Sequence, residues 1–107
     1  MTEFSTKDLI AKFERDIESI EGVDTVMVVD RVDTSLASEE IIYLGRSALP
    51  EIISHLEGNM PAEGSNRERA WRILIDWLSQ AFVCKNRPPF EDGKLPDWIA
   101  WAKRESA

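Results

Sequence analysis

The chain has 107 residues, 43% of them hydrophobic and 31% charged. That length supports one domain, and that apolar fraction supports a modest core rather than disorder. A single cysteine, Cys84, excludes an intramolecular disulfide and a Cys-rich zinc site. Met1–Phe13 is interrupted by Glu3, Lys7, Asp8 and Lys12, so no signal peptide is expected. The apolar runs, such as Val26–Val29, fall far short of the roughly 18–20 residues of a membrane span. The expectation is a soluble, cytoplasmic protein.

The formal charge of −7 is unevenly spread. Residues 1–64 carry 14 acids against 5 bases, and residues 65–107 carry 6 acids against 8 bases. Direct binding to nucleic acid is not expected, because phosphate neutralisation needs clustered Lys and Arg. The basic cluster is Arg67, Arg69 and Arg72. It reads as a solvated helix edge or as a local site for an anion or acidic partner. The acids are scattered and interleaved with Lys7, Lys12, Arg15, Arg31 and Arg46. Solubility accounts for them, and mimicry of a nucleic acid is the alternative.

In chain order, Ser5 and Asp8 offer an N-cap and an acidic first turn. Leu9, Phe13, Ile17 and Ile20 then recur at helical spacing, with Ile10 widening the stripe. Lys12, Glu14, Arg15, Asp16 and Glu18 form the water-facing set, and Gly22 is placed to end a helix over 6–21. Val23–Val32 has strand propensity, but a lone strand would lack a partner, so a short helix is favoured. Asp33–Ser35 reads as a turn and cap, and Leu36–Leu44 as a helix ended by Gly45. Ser47 is placed to cap the next helix, with Pro50 in its first turn and Leu49, Ile52, Ile53 and Leu56 as its stripe. Residues 58–64 form a loop.

Ser65 and Glu68 make a capping box. The helix it opens, over 66–83, is apolar on more than one face and belongs at the centre of a bundle. Residues 85–96 read as a loop, and Pro96 starts a last helix with Trp98, Ile99, Trp101 and Ala102. The predicted architecture is all-α: a compact bundle of five or six short helices.

The stretch Leu44–Leu56 (LGRSALPEIISHL) resembles the Gly-basic-x-Ala-Leu-Pro-x-x-x-x-x-Leu element of small HEAT-like helical-repeat proteins of bacteria. In that group a Trp-bearing helix, a Pro-containing loop and a terminal Trp-x-x-Trp helix follow. Here Trp71–Leu78, Arg87-Pro88-Pro89 and Trp98–Trp101 stand in that order, so the resemblance covers about residues 40–104. The loop departs from the group's Gly-Glu-Asn-Pro form, reading Lys85-Asn86-Arg87-Pro88. The resemblance implies HEAT-like helix pairs and no activity. Such pairs normally present a surface to a protein partner.

His55 is the one histidine, so a Ser-His-Asp or Cys-His site would have to use it. It lies four residues after Glu51, and a helix-surface pair with that residue accounts for it. No nucleophile motif, Gly-rich phosphate loop or HExxH accompanies it. Neighbouring Glu39 and Glu40 diverge around a helix and read as first-turn acids. No catalytic, metal-ligating or cofactor-binding residue is therefore assigned, and no cofactor is expected.

The four tryptophans either anchor the core or include an exposed anchor for a partner. The candidate interaction residues are Trp77, Arg87, Phe90, Glu91, Lys94 and Trp101. Phe90 in its Pro-Pro loop is the expected centre of the patch. The function expected is a small acidic helical module that binds a protein, as an inhibitor or accessory protein of a mobile genetic element would. The alternatives are an acidic nucleic-acid mimic blocking a basic groove and a small enzyme using His55.

Overall fold

A computed structural model of the chain describes residues 5–18, 25–80 and 94–106. The elements are α1 (Thr6–Glu18), α2 (Thr25–Thr34), α3 (Leu36–Leu44), a 3-10 turn (Gly45–Ala48), α4 (Leu49–Gly58), α5 (Asn66–Ser79) and α6 (Leu95–Ser106). Among the described residues there is no strand, so the valine-rich stretch is helix from Thr25 onward. The expected helix continuations 19–21 and 81–83, Gly22, Cys84 and loop residues 85–93 lie outside the described residues.

Local chemistry sets the helix ends. Ser5 Oγ accepts from the Asp8 N–H at 3.2 Å while Asp8 accepts from the Ser5 N–H at 3.3 Å, a reciprocal capping box. Ser35 Oγ accepts from the Ser38 N–H and donates to Asp16 at 2.7 Å, so one hydroxyl caps α3 and ties it to α1. Gly45 ends α3 with φ at 60°, where an L side chain is strained, and its N–H reaches the carbonyls of Ile41 and Ile42.

Ser47 is not the cap of α4. The 3-10 turn runs directly into that helix, Ala48 occupies the cap position without a side-chain bond, and Pro50 sits in the first turn as expected. The box at α5 is shifted. Ser65 Oγ accepts from the Glu68 N–H, but Glu68 reaches back to the N–H of Gly64 rather than of Ser65. Lys94 caps α6, with Asp97 accepting its N–H at 2.9 Å.

α5 is the central helix. It packs against α1, α2, α3, α6 and the 3-10 turn, while α4 lies against α6 and α1. Ala70, Trp71, Ile73, Leu74, Ile75 and Leu78 are all buried, which takes up most of the circumference of α5. Phe13 meets Trp71 edge-on at 4.7 Å, and Val28 and Val32 bury the inner side of α2. Trp98 and Trp101 stack edge-to-face at 5.7 Å inside α6.

Trp71 is fully buried where three helices meet, so Trp71→Ala is expected to cost about 3–5 kcal/mol. Urea unfolding with far-UV circular dichroism checks this. A loss below about 1 kcal/mol would place Trp71 outside the core.

Candidate functional site

Titratable groups from three helices converge at one point. Glu14 follows the buried Phe13 on α1, His55 follows the buried Ile53 on α4, and Arg67 lies one turn before Trp71 on α5. His55 Nε2 donates to Glu14 Oε2 at 2.7 Å. Arg67 Nε donates to both carboxylate oxygens, at 2.8 and 2.9 Å, and its terminal nitrogen closes a fork on Oε2. The imidazole lies 5.6 Å from the Trp71 ring.

The half-buried setting makes these bonds count. Burial pushes the Glu14 pKa up, but hydrogen bonds from Arg67 and His55, the Arg67 charge and the Trp71 indole outweigh it. The carboxyl is therefore held below its ordinary 4.5. Glu14 is not a plain water-facing acid, Arg67 is not a solvated edge, and His55 pairs with Glu14 rather than Glu51. These pairings join residues 41 and 53 positions apart, so helix-local spacing gives no hint of them.

An open groove of about 830 Å³ runs beside the cluster, lined also by Arg15, Glu18, Asn59, Met60 and Asn66. No hydroxyl or thiol is hydrogen-bonded to His55 among the described residues. The carboxylate oxygens of Glu14 are taken up by Arg67 and His55. The arrangement can hold α1, α4 and α5 together, and it presents no activated nucleophile. Among the described residues no group of three His, Cys, Asp or Glu could hold a metal ion, and no helix is long and apolar enough to cross a membrane.

A different surface opens on the far side of α3. Leu36, Glu39, Glu40 and Tyr43 recur at helical spacing on its outer side, with Leu36 75% and Tyr43 91% exposed. Beside that ridge a groove of about 300 Å³ lies between α2, α3 and α5, lined by Val32, Asp33, Ser38, Glu39, Ile42 and Trp77. Ile42 and Trp77 are half-buried and pack on the core beneath.

The sequence candidates fare differently. Trp77 lines this groove. Trp101 is fully buried against Trp98 and is a core residue, because Leu95, Trp98, Ile99, Trp101 and Ala102 together form the inner face of α6. Lys94 is exposed and holds Glu63 at 2.7 Å while capping α6. Arg87, Phe90 and Glu91 lie outside the described residues. Tyr43 and Leu36 were not picked out by the sequence, although their positions seven apart on a helix also carrying Ile41, Ile42 and Leu44 held the signal.

No family model matches the chain, and neither a curated protein nor a solved structure matches it. The Glu14 cluster yields its own prediction. A carboxyl whose folded pKa is depressed adds stability that is present above the unfolded value and lost as pH falls through the folded one. Glu14→Gln is expected to cost about 1–3 kcal/mol at neutral pH. The gap to wild type should shrink as pH falls below 4.5. Urea titrations across that range check it, and a gap that does not change with pH would contradict the assignment.

Proposed function

We propose that this chain is a non-catalytic helical interaction module of the cytoplasm that docks a protein partner through the α3 ridge and the groove beside Trp77. The observation that carries this reading is the outer face of α3. Leu36 and Tyr43 stand almost fully in water on a helix whose opposite side is packed. Scattered exposed apolar residues are ordinary, but here two share one ridge of a helix that also carries Glu39 and Ile42 into the groove with the half-buried Trp77. Trp and Tyr are the side chains most enriched at binding hot spots.

The chemistry elsewhere supports the same reading. His55 is engaged by Glu14, and no hydroxyl or thiol among the described residues is hydrogen-bonded to it. The resemblance of residues 44–56 to HEAT-like helix pairs, which present a surface to a protein partner, points the same way. An acidic mimic of nucleic acid would need its carboxylates to carry the contact, whereas this ridge also carries the exposed Leu36 and Tyr43.

Affinity capture from the native host with the whole chain as bait tests the proposal. Tyr43→Ala with Leu36→Ser is expected to abolish capture. The melting temperature should stay within a few degrees, since surface changes rarely exceed about 0.5 kcal/mol. His55→Ala should leave capture intact. Capture that survives the Tyr43 and Leu36 changes but is lost with His55→Ala would overturn it.

A further inference from the structure

The groove beside Trp77 has a chemistry of its own. Its walls are carboxylates from two helices, Asp33 at the end of α2 and Glu39 in the first turn of α3. Its floor is aliphatic and aromatic, from Val32, Ile42 and Trp77. Four acids elsewhere in the structure hold cations. Glu14 holds Arg67, Glu57 holds Lys103, Glu63 holds Lys94 and Glu105 holds Arg46. No described cation pairs with Asp33 or Glu39, and both side chains are exposed. The neighbouring Asp30 and Glu40 add negative charge without a paired cation. Arg31, the nearest base in sequence, lines a different groove with Lys12 and Arg15 of α1.

We infer that this groove is a receptor slot for a cationic side chain, an arginine, carried by the protein partner. The inference rests on the docking reading above and names the chemistry that the partner must bring. A volume of about 300 Å³ is at the lower end of ligand pockets and suits one long side chain rather than a whole helix. Arginine matches each part of the lining. Its methylene stem covers apolar floor, as long cationic side chains do on protein surfaces. Its planar guanidinium stacks on an indole and donates in a fork to carboxylates on either side. Lysine offers a point charge without the plane, so it should bind more weakly. Apolar residues flanking that arginine would suit the apolar part of the lining, Val32, Ile42 and Trp77.

The test uses the intact chain and a defined probe. The probe is acetyl-Leu-Arg-Leu-amide, and acetyl-Leu-citrulline-Leu-amide is its uncharged isostere. Titration is followed by nitrogen–proton correlation spectra at the Trp77 indole and the backbone amides of Asp33, Glu39 and Ile42. The arginine peptide is expected to move these signals to saturation, and the citrulline peptide to bind at least about tenfold more weakly. Asp33→Asn with Glu39→Gln should bring the arginine peptide down to the citrulline level, and added salt should weaken it.

Equal response to the two peptides, or an arginine response unchanged in the double variant, would overturn the slot. Partner capture separates that failure from failure of the docking reading. If the slot alone is wrong, Tyr43→Ala with Leu36→Ser still abolishes capture while Asp33→Asn with Glu39→Gln does not. If docking itself is wrong, neither pair affects it.

Discussion

The fold depends on one fully buried indole. Trp71 stands at the middle of α5 with the Phe13 ring of α1 against its edge and the His55 ring of α4 beside it. A small core gains much of its buried apolar area from such side chains. Because Trp71 draws α1 and α4 to the same point, it also fixes where their polar neighbours meet. Glu14, one residue after Phe13, and His55 are carried to Arg67 by that packing, and the ion cluster is a consequence of the core rather than its cause. Its half-buried setting keeps solvent screening partial, so the bonds matter more than those of an exposed pair.

The same arrangement divides the surface in two. Beside Trp71, Glu14, His55 and Arg67 satisfy one another, which makes that side a clasp. Around Trp77, six residues further along α5, the carboxylates of α2 and α3 face water with apolar groups between them. Both tryptophans lie on one helix, and the spacing of six turns them to different sides. One helix thereby supplies the centre of the core and the floor of the outer groove.

Much of the fold was legible in the sequence because it is written in local terms. The stripe Leu9, Phe13, Ile17 of α1, the Ser65 cap of α5 and Pro50 at the start of α4 each act within one or two turns. The valine-rich α2 was legible only through the lack of a strand partner. The candidate site was harder to read. Trp77 was recognisable as a tryptophan off the main stripe, but Trp101 carries the same composition signal and is buried. His55 pointed by spacing to Glu51, and a partner 41 residues away cannot be found by spacing. Ser47 looked like a cap until the 3-10 turn removed the need for one. In each case tertiary packing replaced a local partner with a distant one or with none.

The proposed docking puts the partner on the α3 ridge beside Trp77 and not at the groove by His55. Photo-crosslinking measures this directly, with a benzophenone amino acid placed at position 43 in one variant and at position 54 in another, in the native host. Ser54 is exposed and lines a pocket with His55, so it reports on the other face. A discrete adduct with one partner protein is expected from position 43 and none from position 54. An adduct from position 54 alone would contradict it.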